Sequence, residues 1–207
     1  KQGGTDGLGI VPELRVLPHF DKYSRMIPDF ALRPLARAPY RVETLPLPRQ
    51  MIGEVSGVAF TPRGTLVVTN RRGDVWMRSH PDGAWRRFAT GLYEGFGLVA
   101  PDEAEVLVIQ RPEVTRLRDT DGDGVADEYL TAARGWNVSG AYHGYAYGPK
   151  RDGRGNLWVT LNLDMGDGSN NKTGWRGWGG IVTANGDFKP MCAGMRSPCG
   201  LGANLAG

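Results

Sequence analysis

The sequence predicts an all-β chain of the β-propeller class, and three observations carry that prediction. Gly (31) and Pro (14) make up about a fifth of the 207 residues, well above the usual share of about an eighth. Hydrophobic residues at 40 % exclude a disordered composition. Short alternating apolar segments recur between turn residues, about four to each repeat of about 40–50 residues, which is the spacing of propeller blades.

Residues 1–50 are the exception. "VPELRVLPHF" and "ALRPLARAPYRVETLPLPRQ" are rich in Pro and Arg and lack periodicity. Proline blocks helix interiors and central strands, so this part reads as an extended arm with at most a short edge strand at Tyr40–Leu45. From residue 51 to 207 the texture is that of a partial propeller. "SGVAFTPRGTLVVTNRRGDVWMRS" gives a strand, a turn at Pro62-Arg63-Gly64, a strand at Thr65–Thr69, a turn at Arg72-Gly73-Asp74 and a strand at Val75–Arg78. "GAWRRFATGL" supplies the fourth strand. The plan repeats, giving blades near 52–91, 92–136 and 141–194, with the start of a fourth at 195–207. Gly57, Gly97, Gly144 and Gly200 align as the repeat markers, at separations of 40, 47 and 56 residues. A ring needs four to eight blades, so further C-terminal chain or a protein partner is expected to complete it.

The net charge of +3 and pI near 9.0 are mild, and the basic residues are dispersed, so nucleic acid is not an expected partner. No apolar run approaches the ~20 residues of a membrane span. The chain starts at Lys1, as expected where a leader has been removed or a longer chain precedes it. Cys192 and Cys199 fit neither a haem nor a zinc pattern, and the spacing leaves open a disulfide or two free thiols.

One loop carries most of the acidic signal. In "RLRDTDGDGVADEYL" the pattern Asp119-x-Asp121-x-Asp123-Gly124 places carboxylates at alternating positions ahead of a sharp turn. With a carbonyl from Val125 and the carboxylate of Asp127, this is the first half of a Ca²⁺ loop. Leu130 stands where a bidentate glutamate would complete an EF-hand, and no flanking helices are predicted. A Ca²⁺-braced hairpin tip is therefore expected in the second blade, with an exposed turn as the plain alternative. Catalysis by these aspartates is not expected.

The three histidines are His19, His80 and His143. The first lies in the arm and the second in a turn, whereas His143 opens the third blade. The run from His143 through "YAYGP" to "GNLWVTLN" resembles a stretch of the soluble quinoprotein glucose/sorbosone dehydrogenases, which are six-bladed propellers. "GMRSPCGLGANLAG" resembles their G-x-R-N-x-x-G-L segment. Residues 52–207 are nearer still to bacterial membrane-associated dehydrogenase-type propellers often fused to a c-type cytochrome domain. The resemblance implies a sugar substrate, pyrroloquinoline quinone (PQQ) as cofactor, and a periplasmic or extracellular location. It implies that His143 is the base taking the proton of the sugar hydroxyl while hydride passes to PQQ, and that Arg196 binds the quinone oxygens. Two departures stand out: Ser197 replaces the family's Asn, and Asn162-Leu163 replaces a Gly-Asp pair. The second functional expectation is a non-catalytic propeller that serves as a docking subunit. Trp175 and Trp178, in a Gly-rich insertion, could stack a sugar ring or plug a gap between blades.

Overall fold

In the computed structural model, residues 45–79, 83–138, 140–163 and 174–202 are described. Residues 1–44 of the expected arm over 1–50, His19, His80 and most of the insertion before Trp175 lie outside the described residues, and residues 45–50 contain no strand. The unit from Leu47 onward consists of twelve described strands in three four-stranded antiparallel sheets. Blade 1 holds β1 (Val55–Phe60), β2 (Leu66–Asn70), β3 (Val75–Arg78) and β4 (Trp85–Ala89) in sequential order. Blade 2 holds β5 (Leu98–Val99), β6 (Glu105–Ile109), β7 (Val114–Arg118) and β8 (Glu128–Ala133). Blade 3 holds β9 (Ala146–Arg151), β10 (Leu157–Leu161), β11 (Trp178–Val182) and β12 (Phe188–Ala193). Among the described residues, no helix is long and apolar enough to cross a membrane.

Strands form where Val, Leu, Ile and Thr alternate, because a pleated strand sends neighbouring side chains to opposite faces. Each sheet is apolar on both faces, so neighbouring blades must cover them. Val67, Val75, Met77 and Phe88 of blade 1 meet Leu98, Ala100, Val106, Val108 and Leu117 of blade 2. The other face of blade 2, with Leu107, Ile109, Val114 and Trp136, meets Ala146, Val159, Leu161, Val182 and Phe188 of blade 3. The second strands β2, β6 and β10 are buried almost throughout, as expected of strands covered on both sides.

The first strand of each blade lies innermost. β1 is against β5, and β5 and β6 are against β9. Their backbones approach so closely that only glycine fits. A Cβ on Gly57 would sit 2.6 Å from the Cα of Gly97, and one on Gly97 would sit 2.0 Å from the carbonyl oxygen of Gly148. Gly97 also has φ of +140°, a region that other residues rarely adopt. This contact corrects the repeat alignment. The third marker is Gly148 in β9, whereas Gly144 lies in the lead-in before the strand. The separations become 40, 51 and 52 residues, more even than the sequence suggested. Side chains reinforce the stack: Ser56 Oγ donates to Gly95 O at 2.6 Å, and Thr160 Oγ1 donates to Pro198 O at 2.8 Å. Each bond ties one blade to the segment that leads into the next.

Candidate functional site

The repeat places the same two positions of each blade at one end of the inner strands. Three residues before the marker glycine stand Glu54, Glu94 and Tyr145, and fourteen residues after it stand Arg71, Arg111 and Asn162. In blade 1, Arg71 pairs with Glu54 at 2.9 Å and reaches across to Glu94 at 3.2 Å. Desolvation pulls the Glu54 carboxyl upward, but the hydrogen bonds and charges of Arg71 and Arg72 outweigh it and hold the group below its ordinary value. In blade 2, Arg111 pairs with Glu94 and is only 5 % exposed. Its other donors reach the carbonyls of Ala141 at 3.0 Å and Tyr142 at 2.8 Å, in the segment that leads into blade 3. The guanidinium also lies 4.5 Å from the Tyr145 ring centre and 5.6 Å from that of Tyr93.

His143 sits in that segment. It is exposed, and its ring makes an edge contact with Tyr142 at 5.2 Å between centres. The aromatic column continues from Tyr142 to Tyr145 at 5.9 Å, to Phe96 at 4.6 Å and to Tyr147. Burial raises the Tyr145 phenol, helped by Tyr142 and Glu94. Burial also pushes the Tyr147 phenol up to about 12, with the neighbouring Cys199 and Tyr145 adding to it. Both phenols therefore stay neutral in ordinary buffers.

Beside this column lies an open cleft of about 430 Å³, lined by Glu54, Val55, Ser56, Arg71, Phe96, Tyr147 and Cys199. Ser56, Phe96, Tyr147 and Cys199 each stand one residue before a marker glycine, so they surround the shared axis of the inner strands. The cleft has aromatic walls and one Glu–Arg pair, a combination suited to a flat or ring-shaped polar ligand. His143 does not line it. Arg196 lines a separate cleft of about 350 Å³ with Leu163, Arg176, Gly177, Trp178, Gly194 and Met195. Its carbonyl accepts Leu163 N at 3.0 Å, and its side chain is exposed. Neither of these clefts brings His143 and Arg196 together. Asn162, which stands where the dehydrogenase pattern has glycine, is buried, and its Oδ1 has no hydrogen-bond partner among the described residues.

Cys192 and Cys199 are both free. Trp178 packs within β11, while Trp175 is 39 % exposed with its ring edge-on to Trp178 at 5.4 Å.

The acidic loop joins β7 to β8, as a hairpin tip of blade 2. Carboxylate oxygens of Asp119, Asp121 and Asp127 lie within 4.8 Å of one another. Three hard oxygen donors at that spacing fit Ca²⁺, which binds oxygens at about 2.3–2.6 Å. Asp123 is not in this group, and its Oδ1 accepts Val125 N at 2.8 Å. The same carboxylates also brace the turn: Asp119 accepts Gly122 N at 2.7 Å and Gly124 N at 2.9 Å. Thr120 donates to Asp127 through its hydroxyl and its N–H, and these bonds hold the Asp127 carboxyl below its ordinary value. From blade 1, the Arg86 guanidinium donates to the Gly124 carbonyl, bringing positive charge to the tip.

The sequence signals selected His143 and the acidic loop but missed Glu54, Arg71, Glu94 and Arg111. Their signal was present as a repeat around Gly57 and Gly97, Glu three residues before the glycine and Arg fourteen after, which the third blade breaks with Tyr145 and Asn162.

No protein-family model matches the chain, and no curated protein matches it. Solved structures do. A glucose dehydrogenase structure superposes with a TM-score of 0.50 at 19 % identity, over 65 % of this chain and 45 % of that one. A second glucose dehydrogenase gives a TM-score of 0.48 at 18 % identity, over 65 % and 49 %. An oxidoreductase (glucose dehydrogenase) structure from Thermus thermophilus gives 0.48 at 21 % identity, over 65 % and 45 %. This chain thus spans about half the length of the structures it matches. Over that part, it has the β-propeller fold of the glucose dehydrogenase structure with a TM-score of 0.50.

Proposed function

We propose that this propeller is part of a PQQ-dependent sugar dehydrogenase acting in the periplasm or extracellular space. The observation that supports the reading is the propeller fold shared with a glucose dehydrogenase structure, and the residue the reading assigns as base is His143, which stands outside the lining of the axial cleft. The segment holding it is fixed by Arg111 at the head of an aromatic column that runs into the cleft at the axis. His143 is the base that accepts the proton of the sugar hydroxyl, a role suited to an accessible imidazole. PQQ, when bound, supplies the two-electron acceptor for the hydride leaving the sugar carbon. Arg196 is the residue assigned to its quinone oxygens, and the guanidinium suits that role because it donates several hydrogen bonds from one plane. Phe96 and Tyr147 offer flat apolar faces to a ring, and the Glu54–Arg71 pair offers both signs of polar contact. Ca²⁺ at Asp119, Asp121 and Asp127 is proposed as a brace, with Asp123 and the Val125 carbonyl as further candidate ligands; the loop takes no part in the chemistry.

Reconstitution with PQQ and Ca²⁺, followed by a dye-linked assay over a panel of aldoses, tests this. Turnover that His143→Ala lowers by about 10²-fold or more is expected for a general base. Failure of the full-length protein to take up PQQ would sink the dehydrogenase reading.

A second reading, a docking subunit, is favoured by a different observation. Val58 is 52 % exposed and Phe60 62 % exposed on blade 1, whereas the equivalent Leu98 and Ala100 of blade 2 are 3 % and 9 % exposed beneath blade 1. Under this reading, a protein partner that co-purifies is lost on Val58→Glu with Phe60→Glu and kept in His143→Ala. Loss in both variants, or in neither, counts against it.

A further inference from the structure

The Glu–Arg repeat changes its chemistry in one place, and that place is the blade that carries His143. In blade 1 the arginine holds a carboxylate on each side, Glu54 in its own blade and Glu94 in the next. In blade 2 the arginine holds Glu94 on one side only. The position that would supply the second carboxylate is Tyr145, whose ring lies against the guanidinium. The donors of Arg111 freed by this exchange go to the carbonyls of Ala141 and Tyr142, on the residues just before His143. A guanidinium can do this because its donors diverge in one plane, so one side faces Glu94 while the other spans two successive carbonyls.

We propose that Arg111 is a positioning residue for His143, and that Glu94 and Arg71 extend the clamp back to blade 1. The inference rests on the role of His143 proposed above. Arg111 is buried, while His143 is exposed with its ring edge-on to the exposed Tyr142. The His143 carbonyl accepts Tyr145 N at 2.7 Å, and Gly144 N donates to Ala141 O at 3.1 Å, which makes one tight turn. The turn runs from exposed Tyr142 and His143 to buried Gly144 and Tyr145, so its first part has little packing of its own, and local opening is governed by few buried contacts. Arg176, also buried, holds the ends of the segment at Asn137 and Tyr145, and Arg111 supplies the buried contact at Ala141 and Tyr142, directly before His143. Glu94 is held in turn by Arg71, so its carboxylate lies between the two guanidiniums.

The test is Arg111→Gln, read by hydrogen exchange and by the imidazole resonances of His143 in the cofactor-free protein. Exchange at Gly144 and Tyr145 is expected to rise about tenfold or more while β6 and β7 keep their protection. The His143 resonances are expected to move toward those of free histidine. Arg111→Lys restores the charge opposite Glu94 but cannot span both carbonyls, so it should fall between the two. If the Gln variant does not fold, Glu94→Gln keeps all donors of Arg111 and should loosen the same turn to a smaller degree. In the loaded enzyme, kcat should fall more than KM rises. Unchanged exchange at Gly144 and Tyr145 with an unchanged His143 signal, in a folded variant, overturns the positioning role. Full turnover by His143→Ala overturns the base assignment instead and leaves the clamp standing.

Discussion

Asp152 shows how one carboxylate can set the shape of a hairpin. It lies at the turn between β9 and β10 and accepts four hydrogen bonds. Arg154 N and Asn156 N reach its Oδ1, each at 2.9 Å; Asn156 Nδ2 at 2.9 Å and Trp158 Nε1 at 3.0 Å reach its Oδ2. The Asn156 and Trp158 side chains, then the backbone donors, hold this carboxyl down to about 2 from its usual 3.8. A depressed carboxyl stabilises the fold when ionised. Its contribution is therefore fully present above about pH 4 and is lost as pH falls toward 2. Asp152→Asn should be less stable than wild type at neutral pH, with the difference shrinking steadily below about pH 4 and mostly gone by about pH 2, as followed by melts across that range. A difference that stays constant with pH would refute the assignment. At this scale the sequence was only partly readable. His143 could be picked out by its neighbours in the chain, but the residues that hold it come from another blade, and Arg111 sits thirty-two residues before it.

Among the elements, the inner strands and the acidic hairpin carry separate predictions. Gly97→Ala drives a methyl group into the Gly148 carbonyl and adds the strain of its φ. A loss of about 3 kcal/mol is expected, the upper range for an overpacked position, since backbone cannot move aside as a side chain does. Gly64→Ala has φ of +86° with nothing within 4 Å, so only the backbone term remains, about 1 kcal/mol. Equal losses in denaturant melts would mean that the stacking of inner strands is not what fixes Gly97. For the hairpin tip, titration calorimetry with Ca²⁺ should show heat in wild type and at least about tenfold weaker binding in Asp121→Ala, because removing one charged oxygen donor lowers affinity steeply. Equal heats would leave the Asp–backbone bonds and Arg86 as the full account of how the loop tolerates its charges. The strands were legible because alternation and Gly-rich turns are local signals. The Gly144 alignment missed because the lead-in to blade 3 is longer than that of blade 2, and sequence alone does not say which glycine touches the neighbouring backbone.

At the scale of the whole molecule, one face of each blade is read against the equivalent face of the next. Nine and eleven residues after the marker glycine stand Leu66 and Val68, Val106 and Val108, and Leu157 and Val159. In blades 2 and 3 this face is covered by the preceding blade. In blade 1 Leu66 and Val68 share this face with Trp76 and Trp85 of the same sheet, Met51 packs with them, and its inner edge at Val58 and Phe60 is exposed. Repeat stability is the sum of each unit and its interfaces, so an uncovered apolar face is where an added blade gains most. The occupant that fits is another blade presenting aliphatic side chains at the positions of Val67 and Val75 or Leu107 and Val114. A photo-cross-linking residue at position 60 of the full-length protein should then capture a peptide from a β-strand with alternating apolar residues, as identified by mass spectrometry. Capture of Phe60's own counterpart in a second copy, of residues 1–44, or of nothing at all would show that this face is not a blade-stacking surface.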